Sequence, residues 1–257
     1  MRNLRICFLP ALVLCGVANL AAAGPSFSGT WKINLAKSQL SGTTFSFEKT
    51  AAGKYHFDSE GFGYDFDLTG KEYPTPDGGT TSWKAPDANT WEATNRMNGK
   101  VVASYRLVLK GDTLSADMKV TKADGSVADQ NSGNTRVSGG PGFPGKWKTA
   151  GVTGAPTTLD LQVDSSNHIT LKFPEFQQAC NGSFDGKDAV LMTAGVASKQ
   201  TLAFESTGAN SFRMTTKLNG KLFYTDVFTL SADGKTLTDD GNSVSVSEPV
   251  KAIYERQ

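Results

Sequence analysis

Three things are scarce in this chain: helical patterning, metal-ligand spacing and cysteine. No segment sustains an i, i+3, i+4 apolar pattern between caps, which excludes a helical bundle. Histidine occurs twice, at His56 and His168. No His-x-His, Cys-x-x-Cys or His-Glu-x-x-His spacing exists, which argues against a classical zinc site. Glycines 139, 140 and 142 open no helix and read as linker composition, so no phosphate-cradling loop is expected. No motif calls for a cofactor. The charges, 26 Lys plus Arg against 25 Asp plus Glu, are balanced and interspersed. Such a chain has no electrostatic basis for seeking nucleic acid or an anionic membrane.

Long apolar runs are also missing, with one exception at residues 6–17. Arg2 and Arg5 precede that run and Ala21-Ala22-Ala23 follow it. This is the pattern of a secretory signal, cut near Ala23, and it predicts an exported protein, periplasmic or extracellular. The alternative, a lipoprotein acylated at Cys15, places Leu14 where that processing needs a small side chain. Removing residues 1–23 takes two Arg and no acid, so the formal charge moves from +1 to −1. It also removes Cys7 and Cys15. Cys180 then stands alone, and no intrachain disulfide is possible. No later run is long enough to form a transmembrane segment. Oligomeric state leaves no mark in the sequence.

What the chain does contain is short alternating runs between turn signals. Residues 101–109 (VVASYRLVL) and 222–230 (LFYTDVFTL) read as strands with one buried face. Asp-Gly and Asn-Gly pairs recur at 77, 98, 124, 185, 219, 233 and 240, and such pairs tolerate the positive φ of tight hairpins. One helical turn fits residues 34–38.

The chain is also duplicated. Phe27-Ser28-Gly29-Thr30-Trp31-Lys32 is echoed 116 positions later by Phe143-Pro144-Gly145-Lys146-Trp147-Lys148. Asn98-Gly99-Lys100 meets Asn219-Gly220-Lys221, and Thr113-Leu114 meets Thr236-Leu237, so the offset grows slowly as loops take insertions. Repeat one is read as residues 24–137, a Gly/Pro linker as 138–142, and repeat two as 143–257. Closure into an antiparallel up-and-down barrel hides strand edges at this size, which predicts an all-β chain of two tandem β-barrels. A Greek-key sandwich would need longer cross-connections.

Gly29-Thr30-Trp31 and Gly145-Lys146-Trp147, each read at the start of a first strand, resemble the signature of the lipocalins and the wider calycin superfamily. The whole chain resembles the lipocalin-like proteins of unassigned function that bacteria export, here in tandem. The resemblance implies that each Trp closes one end of a barrel and that an Arg on the last strand packs across it. Arg256 is the candidate in repeat two and Arg136 in repeat one. Each repeat is shorter than a typical secreted lipocalin and nearer the fatty-acid-binding or avidin scale. The resemblance also implies binding of small molecules.

Candidate chemistry is sparse. In repeat one Asp65 and Asp67 share a strand face, as do His56 and Asp58. The first pair reads as acid–base or calcium chemistry or as a solvated outer face, the second as a catalytic dyad or an exposed polar pair. Asp226 lies on a face that also carries Leu222, Tyr224, Phe228 and Leu230, where a carboxyl is costly unless partnered. It is the one weak catalytic candidate, and Tyr105 is its equivalent in repeat one. The expected inner, ligand-binding faces carry Tyr55, Phe57, Tyr64, Phe66 and Tyr105 in barrel one. In barrel two they carry Leu171, Phe173, Cys180, Tyr224, Asp226 and Phe228. Cys180 and Gly182 are smaller than their counterparts Tyr64 and Phe66, so if either barrel keeps an open cavity it is expected to be the second; the alternative is that side chains fill both. Three functions follow: a carrier of a small, mainly apolar molecule; a lipocalin-fold isomerase, hydratase or hydrolase using Asp226 or Cys180; or a non-catalytic protein of the cell envelope.

Overall fold

The computed structural model describes residues 26–243 and 250–257. The expected export leader, residues 1–23, lies outside them, as does Cys15. The chain is all-β, with one three-residue 3-10 turn at Pro174–Phe176. The first half supplies β1 (Gly29–Ile33), β2 (Thr44–Lys49), β3 (Tyr55–Ser59), β4 (Phe62–Phe66), β5 (Thr69–Pro74), β6 (Thr80–Asp87), β7 (Thr90–Met97), β8 (Lys100–Lys110), β9 (Thr113–Thr121) and β10 (Val127–Ser138). The second half supplies β11 (Gly145–Gly154), β12 (Thr158–Val163), β13 (His168–Phe173), β14 (Gln178–Ser183), β15 (Ala189–Thr193), β16 (Val196–Gly208), β17 (Ser211–Leu218), β18 (Lys221–Leu230), β19 (Thr236–Ser243) and β20 (Val250–Arg256). Residues 34–38 form the expected single turn, with the Lys37 and Ser38 amides donating to the Asn34 carbonyl.

The strands build two ten-stranded antiparallel sheets. One is a closed barrel. The other runs from β4 to β5 and nearly closes, with those two consecutive strands flanking an unbonded seam. The corresponding seam of the closed barrel, β14 to β15, is held by only two residue pairs, Gln178 with Thr193 and Ala179 with Met192.

The barrels do not coincide with the sequence repeats. β1 pairs with β12 and β20, where Trp31 lies opposite Leu159 and Arg256. β11 pairs with β2 and β10, where Gly145 lies opposite Phe47 and Trp147 opposite Arg136. The first strands of the two repeats have therefore changed places. The first barrel contains β2 to β11; the second contains β1 and β12 to β20. This corrects the boundaries at 24–137 and 143–257. It also corrects the linker: residues 138–142 form a hairpin between neighbouring strands of one barrel, and the crossings between barrels are residues 34–43 and 155–157.

Each Trp lies at the heart of its adopted barrel. Trp31 and Trp147 are fully buried, and their indole N–H groups donate to the carbonyls of Phe27 at 2.9 Å and Phe143 at 3.0 Å. The Arg256 guanidinium lies 4.1 Å from the Trp31 ring centroid and that of Arg136 lies 4.2 Å from Trp147. The expected Trp–Arg plugs are present with partners exchanged: each Arg covers the Trp encoded by the other repeat. Cation–π attraction adds to donor capping here, since Arg256 also donates to the Ser28 and Gly234 carbonyls and Arg136 to that of Gly142. The glycine of each Gly-x-Trp has a physical reason. Gly29 and Gly145 sit at φ of 150° and 142°; a Cβ at Gly29 would run into the Arg256 guanidinium, and one at Gly145 into the Ser138 carbonyl, with the Arg136 guanidinium close behind.

The Asn-Gly turns form as expected, with φ of 49° and 74° at Asn98-Gly99. Asp240-Gly241 does not turn. It lies inside β19, where Gly241 pairs with Asp226 and with Val250.

The barrels meet at the ends opposite their plugs. The Lys199 amide donates to Asp77 O at 2.9 Å, Asn219 Nδ2 to Pro76 O at 3.1 Å, and Gln177 Nε2 to Thr121 O at 2.6 Å. No helix among the described residues is long and apolar enough to cross a membrane.

Candidate functional site

The first barrel keeps a cavity of about 450 Å³. Its walls come from β2 (Phe45, Phe47), β3 and β4 (Phe57, Phe62, Tyr64), β6 (Trp83) and β8 (Tyr105, Leu107). Strand alternation points these residues inward, and rings packed on rings hold them there. Phe66 stacks on Trp83 at 4.5 Å and Phe47 meets Trp91 edge-on at 5.2 Å. Ala116, Ser132, Asn134 and Thr149 on β9 to β11 form the opposite wall, and their small size makes the space.

That wall is polar but mostly satisfied. Asn134 is buried; its Nδ2 donates to Leu114 O at 2.9 Å and Ser132 Oγ at 3.2 Å, and its Oδ1 accepts from Thr149 Oγ1 at 3.0 Å. Burial pushes the Tyr105 hydroxyl up to about 12 and raises that of Tyr64, so both remain neutral donors. The Trp83 indole N–H, close to the Tyr64 hydroxyl, is buried without a well-formed hydrogen bond. Asp77, at the mouth, accepts from Thr75 Oγ1 at 2.5 Å and the Gly79 amide at 3.2 Å.

Among the residues expected to bind ligand in this barrel, Phe57, Tyr64 and Tyr105 reach the cavity together. Phe66 is fully buried in the core. Tyr55 packs behind the lining against Phe66 and Trp91. The polar wall was not anticipated, although Ser132 and Asn134 share one strand face by simple alternation.

The second barrel differs from expectation. Leu171, Cys180 and Phe228 are buried in a packed core, and Phe173 lies against it. The smaller side chains at Cys180 and Gly182 do not leave space. Phe204 fills it, since a Cβ at Gly182 would come within 2.8 Å of that ring, and Phe212 stacks on Phe228 at 4.8 Å. The larger apolar-lined cavity therefore lies in the first barrel. Cys180 has its thiol pushed up to about 11 by burial, which removes it as a nucleophile near neutral pH.

What remains open in the second barrel is its mouth, a cavity of about 360 Å³ around Tyr224, Asp226, Asp239 and Tyr254. Asp226 is 6% exposed. No hydrogen bond or ion pair reaches it from the described residues. Burial, followed by the Asp239 charge, raises its pKa well above the usual carboxylate range. Burial and the Asp240 charge push Asp239 up to about 7. Asp239 escaped sequence reading because Asp240-Gly241 looks like a turn. The alternation Leu237, Asp239, Gly241 would have placed it inward.

The acidic cluster of the first repeat is on the outside. His56 Nδ1 lies 2.7 Å from Asp65 Oδ1 on the exposed surface, and Asp67 has left the strand to accept from Thr69 and Tyr73. No group of three or more His, Cys, Asp or Glu among the described residues could hold a metal ion. Compared with known proteins, the chain matches no family model and no curated protein.

Proposed function

We propose that this is an exported binding protein for a small, mainly apolar molecule, and that the ligand occupies the first barrel. The aromatic cavity of about 450 Å³ carries this reading. Its volume falls within the roughly 300–1,000 Å³ of small-molecule sites, and a few polar groups on one wall suit orientation of a largely apolar ligand. The resemblance to the lipocalins points the same way. A cell-envelope spacer would call for filled interiors, and the first barrel retains open space. Export rests on the charged start, apolar run and Ala21-Ala22-Ala23 of the leader.

Titration with N-phenylnaphthylamine, a neutral dye that brightens in apolar surroundings, tests this. The dye is expected to bind with quenching of Trp83. Ala116→Phe adds a ring to the small-residue wall and should weaken binding by at least about tenfold, equivalent to about 1.4 kcal/mol. Equal affinity in both proteins would move the site out of this barrel.

A further inference from the structure

The mouth of the second barrel is chemically unlike the first cavity. We infer that it binds a primary alkylammonium ion, with the charge between Asp226 and Asp239 and a short apolar tail against Leu35, Leu40 and Ala252. Among the described residues, the cavity lining includes the paired carboxyl groups of Asp226 and Asp239 and no Lys, Arg or His. Asp226 is more than nine-tenths buried and opens into the cavity without a partner among the described residues. The Oδ1 of Asp239 is buried with no hydrogen bond from the described residues. A buried carboxylate that lacks both cation and donor is strongly disfavoured, so the ionised pair is suited to receiving a cation.

The surroundings select the kind of cation. No metal-binding cluster forms among the described residues, and beside the carboxyls the lining is mainly aliphatic and aromatic, with Thr43, Gln130 and Thr157 as neutral polar members. An ammonium with a hydrocarbon tail satisfies both features. The Tyr224 and Tyr254 rings can add cation–π attraction. Gly241 preserves the space, because a Cβ there would lie 2.9 Å from both Asp226 Oδ1 and the Tyr224 ring.

Each packed element contributes acidic or neutral groups. Tyr224 and Asp226 come from β18, Asp239 from β19, Tyr254 from β20 and Glu60 from the β3–β4 turn. Glu175 reaches Tyr254 electrostatically from the 3-10 turn. Asp240 faces outward on β19 and pairs with Lys251 at 3.3 Å. Without ligand, the carboxyl pair retains a proton near neutral pH. An entering R–NH3+ takes its place, and the proton leaves to solvent. Affinity should therefore rise with pH until the amine itself deprotonates near about 10.4.

Calorimetry on the full chain with hexylamine, hexanol and hexanoate isolates the head group. Hexylamine is expected to bind at least about tenfold more tightly than either of the others. Its affinity should increase at least about tenfold from pH 6 to pH 8.5, with proton release visible as a buffer-dependent heat. Asp226→Asn/Asp239→Asn should abolish this preference while retaining a cooperative melt. The three-ligand comparison on the unaltered protein decides the matter even if that variant fails to fold. Equal binding of hexanol, binding of hexanoate, an affinity flat with pH, no binding, or displacement of N-phenylnaphthylamine from the first barrel by hexylamine would each overturn the inference.

Discussion

Replacing Trp31 by alanine is expected to loosen the barrel built from residues 158–256 while leaving residues 44–138 protected. Trp31 is fully buried in the second barrel, between Leu159 and Arg256, although repeat one encodes it. Truncating a buried tryptophan costs about 3–5 kcal/mol. The change also removes the ring beneath Arg256 and the indole bond to Phe27. Against a typical domain stability of about 5–15 kcal/mol, this is a large share. Peptide-resolved hydrogen exchange would detect it. Faster exchange confined to peptides from 158–256, with Trp147→Ala producing the reverse pattern in 44–138, follows from the exchanged strands. Faster exchange in 44–138 on Trp31→Ala would mean that each repeat keeps its own first strand.

Stability is expected to fall as pH rises from 5 to 8, and Asp226→Asn should flatten this dependence. Both buried carboxyls have folded-state pKa values above the unfolded value, Asp239 at about 7 and Asp226 also well raised. Between the unfolded pKa near 4 and those raised values, the folded protein holds more protons than the unfolded one. The slope of stability with pH is therefore negative across that window. Exposed carboxylates with lowered values, such as Asp87 and Glu255, have the opposite sign. Their contribution is complete above about pH 5, so the window isolates the buried pair. Asn at position 226 removes one charge and its repulsion with Asp239. At pH 8 the variant should be more stable by at least about 1.4 kcal/mol, the value of one pKa unit. Thermal melts at pH 5, 6.5 and 8 would show this. A wild-type melting point that climbs over that range would contradict the uncompensated pair.

Much of the architecture was readable from spacing. The echo of Gly29-Thr30-Trp31 at Gly145-Lys146-Trp147 gave the duplication, and strand alternation placed Phe57, Tyr64, Tyr105 and Asp226 on inner faces. The strand exchange was not readable, because the same similarity that reveals the repeat makes the two first strands interchangeable. Both first strands carry Gly-x-Trp and both last strands carry the covering Arg, so local sequence contains no term that separates the two pairings. The cavity was placed in the wrong barrel for a related reason. Small residues at Cys180 and Gly182 suggested space, but packing is decided across the barrel, where Phe204 and Phe212 fill it. In the first barrel the space comes from Ala116, Ser132 and Asn134, on strands far from the aromatic faces along the chain. Asp239 was hidden by a turn-like Asp-Gly pair that sheet pairing holds extended.

The most direct test of the central claim, that the first barrel carries a small apolar molecule, is native mass spectrometry of the protein purified gently from its own host. The account predicts a small-molecule adduct on the wild type that is lost on denaturation and depleted in Ala116→Phe. A bare wild-type mass, with no adduct formed when N-phenylnaphthylamine is added, would contradict it.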